Sequence, residues 1–445
     1  MREIKRVLAL MIIAVAAVGC GGDTTGTTTG DTLAADTTSA DAVLDVLAAD
    51  TVQPADTVQP ADTVTPQDTA SPADTAVTDT AVADTVVADT VIADTTTPTD
   101  TVAADTTVAD TTSSSCDDNP TPFVPPGPTV AWDHSIQTPI TLAFGDPNHR
   151  GQDVVVTAGQ PQILIGKFAY GLLDKDLKEE NVEIYVQRQP PCGAWEQLGV
   201  FRTSTDGQYG SQYGIDDDGG RVFFTVPQAK VLPVGRFPIR MLVSGDHSLA
   251  ALDLIVVAPG TQAVVFDIDG TLTTNDTELF TELASQVFNT AYDEAARVDG
   301  VETAWAWADK GYLVIYLTGR PDMLRALTQR WVVGHAFPPG PLHLTDTNGQ
   351  VLPTNSGVGD YKTAFLAYLA SSTASVSVYA GYGNATTDIY AYNNAGIPKA
   401  RTFIVGTNGG VDGTVDLGDD YQAHLPTALA MPAATTTAPP DHGWW

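Results

Sequence analysis

The stretch AVVFDIDGT at residues 263–271 decides the fold of the C-terminal region, because it joins a continuous apolar run to two acidic residues. A short uninterrupted run of Ala, Val and Phe is typical of a strand that is buried on both faces of a parallel sheet. Asp267 and Asp269 follow this run two positions apart, so on an extended chain their side chains share one side. Gly270 then permits a sharp turn. The stretch predicts a central strand that ends in a pair of carboxylates.

Apolar runs and helical periods alternate after this strand. We predict further strands at 312–317, 376–380 and 402–405, and helices at 277–297, 301–310, 321–333, 361–369 and 386–395. This alternation indicates an α/β, Rossmann-like domain with a mostly parallel sheet, spanning 260–431. Ligands of such sheets bind beyond the carboxyl ends of the strands, so functional residues should directly follow strands. We expect the tail at 432–445 to be disordered.

Polar residues do follow the other central strands. YLVIYLTGR (312–320) ends in Thr318 and Gly319, whose hydroxyl and backbone amide suit phosphate oxygens. Lys362 begins a predicted helix, where a cation can neutralise a transferring phosphoryl group. VSVYAGYGNATTD (376–388) ends in Asn384 and Asp388, which offer the oxygen ligands that Mg²⁺ prefers. Each feature alone also fits a turn or a solvated surface residue. Their common position after strands predicts one phosphate-handling site.

The chemistry of this site follows from the acidic pair. A carboxylate can attack phosphorus and become an aspartyl phosphate, which divides one difficult step into two easier ones. A second carboxyl group can protonate the leaving oxygen and later activate water. An isolated Asp-X-Asp-Gly also fits a turn or a Ca²⁺ loop. Its position directly after a buried strand favours catalysis by Asp267 and Asp269.

Residues 138–259 have a different pattern, with short β-branched and aromatic runs between turn signals. We predict strands at 153–157, 162–166, 182–187, 221–225, 237–243 and 252–257. Strands at this regular spacing indicate an antiparallel β-sandwich, which makes the protein multidomain. The acidic loop at 216–218 fits either an ordinary turn or a Ca²⁺ site.

The N-terminus has the pattern of an export signal. A basic start, MREIKR, precedes an apolar run of about a dozen residues, which is shorter than the roughly 20 that a membrane-spanning helix needs. The run ends in AVGC (17–20), which resembles a bacterial lipobox. This resemblance implies a lipoprotein signal peptide at 1–19 and lipidation at Cys20, although an ordinary secretory signal with a coincidental cysteine stays open. Gly21 after the cysteine favours the outer membrane as the extracytoplasmic destination.

The segment at 20–137 is mostly acidic and of low complexity, and we expect a disordered linker there. Residues 21–115 hold seventeen Asp and no Glu, Lys or Arg, which is about half of the net charge of −33. Such a chain would be repelled by nucleic acid, so we expect no nucleic-acid partner. Cys116 and Cys192 form a disulfide only if their Cα atoms come close enough, which the sequence leaves open.

The motifs together resemble the haloacid dehalogenase superfamily, and within it the lipin-type (lipin/Ned/Smp) domain. GYLVIYLTGRPDM (311–323), AFPPG (336–340) and YGNATTDIY (382–390) carry this resemblance. They are most similar to the C-terminal region of the membrane-associated phosphatidylinositol transfer proteins, the retinal degeneration B group. In the β-rich region, PNHR (147–150), GKFAYG (166–171), QPP (189–191) and PIRMLVSGDH (238–247) resemble the module that precedes that domain. The resemblance covers about 140–430.

The resemblance implies a role for each site residue. Asp267 would be the nucleophile and Asp269 the acid/base, with Mg²⁺ held by Asp267, the Asp269 carbonyl and Asp388, helped by Asn384. Phosphate would be held by Thr318, Gly319 and Lys362. Arg320 and His335 are candidates for contact with a head group, or for a structural role.

One difference within the resembling group bears on function. The animal transfer proteins lack the catalytic aspartates and are thought to sense phosphatidic acid, whereas the lipin phosphatases keep the pair that this chain also has. We therefore predict a Mg²⁺-dependent phosphatidate phosphatase, acting on a phospholipid or another phosphomonoester. The alternatives are a non-catalytic module that binds phosphatidic acid or a phosphate ester, and a tethered envelope adaptor whose β-domain binds a partner. We expect the lipid anchor to hold the protein at the bacterial cell envelope.

Overall fold

The computed structural model describes residues 120–171, 173–274, 294–347, 350–351, 353–441 and 443. The predicted signal peptide, the predicted lipidation site Cys20, the predicted linker up to 119 and most of the predicted helix 277–297 lie outside these ranges. Across the described ranges, the chain has no helix with the length and apolar character needed to span a bilayer.

The β-rich region is a sandwich of two main sheets, as predicted. A three-stranded antiparallel sheet has the order β1-β3-β8, and a five-stranded sheet has the order β2-β10-β9-β6-β7, in which only β2 and β10 are parallel. The strands are β1 (Arg150–Gln152), β2 (Val154–Thr157), β3 (Ile163–Lys167), β4 (Ala169–Tyr170), β5 (Lys175–Asp176), β6 (Asn181–Gln187), β7 (Trp195–Arg202), β8 (Arg221–Thr225), β9 (Gly235–Val243) and β10 (Leu249–Val257). β4 and β5 pair as a small ribbon, and a short helix, α1 (Gln137–Leu142), precedes β1.

The ordered part of this region starts earlier than the predicted boundary at 138. The backbone N–H of Thr121 donates to the carbonyl of Pro191 at 2.8 Å, and that of Val130 donates to the carbonyl of Ser244 at 2.9 Å. Phe123 packs its ring against Tyr185 of β6, with ring centroids 5.1 Å apart. The proline-rich lead-in therefore belongs to the β-sandwich, because its backbone groups and aromatic side chain find partners there.

The C-terminal region is an α/β domain with a six-stranded, wholly parallel sheet in the order β13-β12-β11-β14-β15-β16. Its strands are β11 (Thr261–Phe266), β12 (Leu313–Pro321), β13 (Leu342–Thr345), β14 (Val376–Gly383), β15 (Thr402–Ile404) and β16 (Val415–Asp416). Its helices within the described ranges are α2 (Gly300–Ala308), α3 (Arg325–Gly334), α4 (Asp360–Ala370), α5 (Thr386–Asn394) and α6 (Leu425–Ala430).

Strand β11 lies in the centre of this sheet because its side chains are apolar on both faces. Val264 and Phe266 belong to the core on one face, and Ala263 and Val265 belong to the core on the other. All four are completely buried. The pattern of the opening stretch is thereby confirmed, and the acidic pair is carried to the carboxyl edge of the sheet.

The structure differs from the predictions at three other places. β12 continues through Pro321, so that the Thr-Gly-Arg sequence lies in the last part of the strand and not beyond it. Six strands were not predicted, namely β1, β4, β5, β7, β13 and β16. The tail is ordered further than expected: the N–H of Ala434 donates to the carbonyl of Lys310 at 2.9 Å, and the N–H of Ala438 donates to the carbonyl of Gly311 at 2.8 Å.

The sandwich and the α/β domain share buried contacts. Val155 of β2 and Ile255 of β10 lie in the same apolar cluster as Val265 of β11. The buried Asp153 accepts hydrogen bonds from the guanidinium of Arg325 at 2.6 Å and from the backbone N–H of Leu342 at 2.8 Å. The sandwich is therefore packed against the side of the sheet where β12, α3 and β13 lie.

Candidate active site

The predicted site residues do meet at the carboxyl edge of the parallel sheet. Asp267 directly follows β11, and its backbone N–H donates to the carbonyl of Tyr382 in β14 at 3.0 Å. This hydrogen bond extends the pairing of β11 and β14 by one residue and fixes the start of the acidic loop. The Asp267 side chain is 6% exposed.

Lys362 joins the ends of two elements that are far apart in sequence. Its Nζ donates to Oδ1 of Asp267 at 2.6 Å and to Oδ1 of Asp388 at 2.6 Å. Lys362 lies in the first turn of α4, and Asp388 lies in the first turn of α5. The other oxygen of Asp388 accepts the backbone N–H groups of Asn384 and Ala385, each at 3.0 Å. All three charged side chains are buried.

The charges in this cluster perturb each other strongly. Burial raises the pKa of Asp267 to about 7; Lys362 opposes the rise, while Asp388 and Asp269 add to it. Burial alone would lower the pKa of Lys362, but Asp267 and Asp388 outweigh it and hold that pKa above its ordinary value. Strongly shifted groups that are brought together at the ligand-binding edge of a sheet are typical of functional sites.

Asp269 is held apart from the lysine by a second set of contacts. Its Oδ2 accepts the Thr318 hydroxyl at 3.1 Å, and its Oδ1 accepts Nη2 of Arg320 at 2.8 Å. The same Arg320 nitrogen donates to Oε2 of Glu294 at 3.0 Å. Arg320 is fully buried, whereas the Asp269 side chain is 18% exposed. Asp269 is thus the more accessible of the pair, and a rigid fork of donors orients it.

Two further side chains complete the cluster. The Thr271 hydroxyl lies 3.0 Å from Oδ2 of Asp267 and 3.1 Å from Oδ1 of Asn384, so it connects the segment after β11 with the segment after β14. Gly319 lies close to Val358, and a Cβ at position 319 would be 3.0 Å from Cγ2 of that valine, a tight contact. Thr271 could have been identified from its place in the opening stretch, but no sequence signal pointed to Glu294.

His335 is not positioned by a strand of the sheet. It caps the carboxyl end of α3, a ten-residue helix that leads away from the carboxyl edge, and its ring packs on Trp331 with centroids 4.8 Å apart. At about 1.5 Å per residue, this helix carries His335 roughly 15 Å from its own start. A head-group role for His335 stays a prediction, whereas Arg320 lies within the site as a partner of Asp269.

Oxygen donors for a metal are available, but not as a cage of carboxylates. Within the described ranges, no three His, Cys, Asp or Glu side chains are grouped so that they could hold an ion. Asp267 and Asp388 share one lysine, and the Asn384 amide oxygen faces the same cluster through Thr271. A metal here would be bound by two carboxylates together with amide, carbonyl or solvent oxygens.

Of the two cysteines in the predicted disulfide, the structure describes only Cys192. Cys192 is disulfide-bonded. Cys116 and Cys20 lie outside the described residues, so the Cys116–Cys192 pairing stays a prediction.

The acidic loop at 216–218 has protein partners: Asp217 accepts a hydrogen bond from the N–H of Tyr209 at 2.9 Å, and Asp218 accepts one from Nε of Arg221 at 2.6 Å.

Each of the two domains matches the model of a known protein family. The family model described as "PITM 1-3, LNS2 domain" matches residues 264–406, and the model described as "PITM 1-3, beta-sandwich domain" matches residues 147–256. The fold and the site therefore define the class: a β-sandwich followed by a haloacid dehalogenase-like domain of the phosphatase type. More narrowly, the chain belongs to the family that has the β-sandwich and LNS2 domains of PITM 1–3, the retinal degeneration B group.

Individual relatives give the same result. Membrane-associated phosphatidylinositol transfer protein 1 from Homo sapiens is 34% identical over 294 residues, which is 66% of this chain and 21% of that protein. Protein retinal degeneration B from Drosophila melanogaster is 34% identical over 316 residues, 70% of this chain and 22% of that protein. The chain thus spans about a fifth of the length of these curated relatives. A solved amylomaltase from Corynebacterium glutamicum has a TM-score of 0.16 and 13% identity, which carries no weight.

Proposed function

We propose that the chain is a Mg²⁺-dependent phosphatase that removes the phosphate of phosphatidate, or of a similar phospholipid phosphomonoester, through an aspartyl-phosphate intermediate. One observation carries the proposal. Asp267 is buried and shares Lys362 with Asp388, while Asp269 is held by Thr318 and Arg320. Lys362 favours the ionised, nucleophilic form of Asp267, and the greater exposure of Asp269 suits a group that exchanges protons.

The two steps can be written with these side chains. In the first step, an Asp267 carboxylate oxygen bonds to phosphorus, the bond from phosphorus to the glycerol oxygen breaks, and a protonated Asp269 gives its proton to that oxygen. In the second step, a water loses a proton to Asp269 and attacks phosphorus. The bond between Asp267 and phosphorus breaks, and inorganic phosphate leaves. The Lys362 ammonium would stabilise the charge on the transferring phosphoryl group.

The charge balance of the cluster supports a bound cation. Four buried or half-buried carboxylates, those of Asp267, Asp388, Asp269 and Glu294, face the two cations Lys362 and Arg320. Burying excess negative charge is costly, and the raised pKa of Asp267 reflects that cost. Mg²⁺ is bound by one or two carboxylates with waters and phosphate oxygens, which fits this donor set. When bound, it would neutralise charge on the phosphoryl oxygens.

The substrate class and the location are proposed from the relatives and the N-terminus. Three of the human relatives are named membrane-associated phosphatidylinositol transfer protein 1, 2 and 3, which supports a phospholipid as the ligand. The AVGC sequence at 17–20 supports attachment of Cys20 to an envelope membrane. A phosphatase anchored in this way would meet its substrate in the membrane.

We also propose a second function for testing, because the human relatives are named as transfer proteins and not as hydrolases. In that case the same cluster would bind the phosphate of phosphatidate without cleaving it. Lys362 and the Thr318 hydroxyl would still supply donors, but no bond to Asp267 would form.

The test is phosphate release from phosphatidate vesicles with Mg²⁺, comparing the wild type with Asp267→Asn. We expect turnover in the wild type and none in the variant, with vesicle binding retained in both. Asp360→Asn is the matched control, because Asp360 is an exposed carboxylate at the start of α4 that accepts a hydrogen bond from the Tyr390 hydroxyl at 2.9 Å. Binding without turnover in the wild type would reject the phosphatase and favour the binding module.

A further inference from the structure

In and beside helix α1, large apolar side chains face solvent while two threonines face the sandwich. Ile136 and Ile140 are 76% and 57% exposed, and Phe144, four positions further on, is 44% exposed. Thr138 and Thr141, which face the sandwich, are 2% and 8% exposed. Residues four apart lie on the same face of a helical segment, so Ile136 just before α1, Ile140 within it and Phe144 just after it share the outward face. The two threonines face the sandwich together with Leu142, which packs against its core.

A buried carboxylate fixes this orientation. Glu180, 2% exposed, accepts the backbone N–H groups of Asp133 and His134, each at 3.0 Å, and also the hydroxyl of Thr138. Rolling the helix to bury the two isoleucines would break these hydrogen bonds and leave a carboxylate buried without partners, which is costly. The exposed isoleucines are therefore held outward by the fold.

A neighbouring loop adds a fourth apolar side chain. Gly171 passes so close to α1 that a Cβ there would lie 2.1 Å from the carbonyl oxygen of Phe144. Two residues later Leu173 is 52% exposed. We use the name apolar patch for Ile136, Ile140, Phe144 and Leu173.

Ion pairs connect the patch to the carboxyl edge of the sheet. Asp174, next to Leu173, accepts Nη1 of Arg150 at 2.7 Å. Nη2 of the same arginine contacts Asp322 at 2.9 Å. Asp322 follows Arg320 by two positions, and Arg320 holds the proposed acid/base Asp269. The loop that carries Leu173 is thus linked through Arg150 to the segment that follows β12 at the carboxyl edge of the sheet.

We infer that the apolar patch inserts into a lipid bilayer and so places the active-site edge against the membrane that contains the substrate. This inference rests on the proposed function for its substrate. The surface that four side chains can bury is much smaller than the roughly 800 Å² per partner that a stable protein interface buries. A bilayer, in contrast, accepts such side chains without a surface of matching shape. The net charge of −33 favours apolar insertion over attraction to anionic lipids. The N-terminal segment, with its proposed anchor at Cys20, enters the described part at residue 120, close before α1.

The test follows the patch directly in the full chain on phosphatidylcholine vesicles. A cysteine introduced by Ile140→Cys is labelled with an environment-sensitive fluorophore, and its emission is compared between ordinary vesicles and vesicles with brominated acyl chains. Val200→Cys on β7 is the matched control, because Val200 is 53% exposed on another element. The unsubstituted chain, labelled in the same way, gives the background. We expect brominated lipid to quench the fluorophore at position 140 and not at position 200.

Patch removal gives a second measurement. Ile136→Ser with Ile140→Ser should lower the partition of the chain lacking its anchor (Cys20→Ser) into vesicles by about tenfold or more, since several buried CH₂ groups are lost. Hydrolysis of vesicle phosphatidate should fall with it, while hydrolysis of a soluble phosphomonoester should not. Thermal unfolding checks that the variant is folded.

The outcomes separate this inference from the proposed function. Quenching at position 140 needs no turnover, so a quenched but inactive wild type would reject the phosphatase and keep the patch. No quenching at 140, or equal quenching at 140 and 200, would overturn the inference. A signal at 140 that depends on protein concentration without vesicles would instead assign the patch to a second copy of the chain.

Discussion

At the scale of residues, the cluster depends on a balance of buried charges. Lys362 is the partner shared by Asp267 and Asp388, and it contacts both at 2.6 Å. Two carboxylates this close destabilise each other's ionised form unless a cation lies between them. The lysine therefore has a structural role as well as the proposed role toward phosphate, and the two roles can be separated by experiment.

Replacing Lys362 by methionine should destabilise the fold and abolish turnover. Removing one partner of a buried ion pair costs about 3–5 kcal/mol, because the remaining charge is left uncompensated. The double variant with Asp388→Asn should regain part of that free energy, since one of the two unpaired carboxylates is gone. Chemical denaturation of the wild type, both single variants and the double variant measures this coupling. Purely additive losses would contradict the shared-lysine arrangement.

His343 should make the stability depend on pH in the acidic range. Burial, reinforced by Arg325, lowers the pKa of His343 to about 3, and its ring nitrogen Nδ1 lies 2.6 Å from the Tyr361 hydroxyl. Unfolded histidine has a pKa of about 6.5, so below that pH the unfolded state binds a proton that the folded state does not. The contribution is present above pH 6.5 and is lost as the pH falls toward 3, by at most about 1.4 kcal/mol per pH unit.

The measurement is the free energy of unfolding from pH 7 to 4 for the wild type and His343→Gln. Carboxylates lower the stability of both proteins in this range, so the difference between the two curves isolates the histidine. The wild-type curve should fall more steeply. Parallel curves would show that His343 is already accessible to protons in the folded state.

At the scale of elements, close packing around β12 fixes the strand that carries two of the site residues. The segment that follows α3 passes directly across this strand, and Tyr316 donates its hydroxyl to the carbonyl of Pro338 at 2.7 Å. It reaches β13, whose Thr345 hydroxyl donates to the carbonyl of Arg320 at 3.2 Å. The strand that carries Thr318 and Arg320 is thereby fixed from its outer side.

Gly340 is the point of closest approach in that segment. A Cβ there would lie 2.0 Å from the carbonyl oxygen of Val314 in β12, so Gly340→Ala must displace one of the two backbones. We expect a loss of about 1–3 kcal/mol in unfolding free energy, which is typical of overpacking, and weaker turnover. Gly334→Ala at the end of α3 is the control, because a Cβ there meets no atom within 4 Å. Equal stability of the two variants would refute this packing argument.

At the scale of the whole molecule, the sandwich and the α/β domain behave as one folded unit. Their common apolar cluster includes Val155, Ile255 and Val265. Asp153 accepts hydrogen bonds from Arg325 at 2.6 Å and from the Leu342 backbone at 2.8 Å. Separating the domains would raise the free energy, because each buried polar group at this contact would lose its hydrogen-bond partner.

We therefore expect a single unfolding transition that both domains share. Fluorescence changes of Trp195 in the sandwich and Trp307 in the α/β domain, each followed in a variant that retains only that tryptophan, should have the same midpoint. Asp153→Ala should weaken the coupling and separate the two midpoints, because Arg325 and the Leu342 N–H lose their acceptor. Separate midpoints in the otherwise unchanged protein would show that the domains unfold independently.

The sequence by itself determined the order of the two domains, the parallel sheet and most of the site. Asp267, Asp269, Thr318, Lys362 and Asp388 could be identified because each lies next to a run with a clear period, and that period specifies local structure. The resemblance to the retinal degeneration B group was confirmed for the same reason, since it rests on these contiguous motifs.

Only the tertiary structure decided how these residues are paired. That Lys362 bridges two aspartates and that Arg320 holds Asp269 and Glu294 both depend on contacts between distant segments. The same holds for β13 and for the ordered tail, which are stabilised by neighbours and not by their own pattern. A periodic pattern records which face of an element is buried, but the partner on that face is fixed only when the whole chain packs.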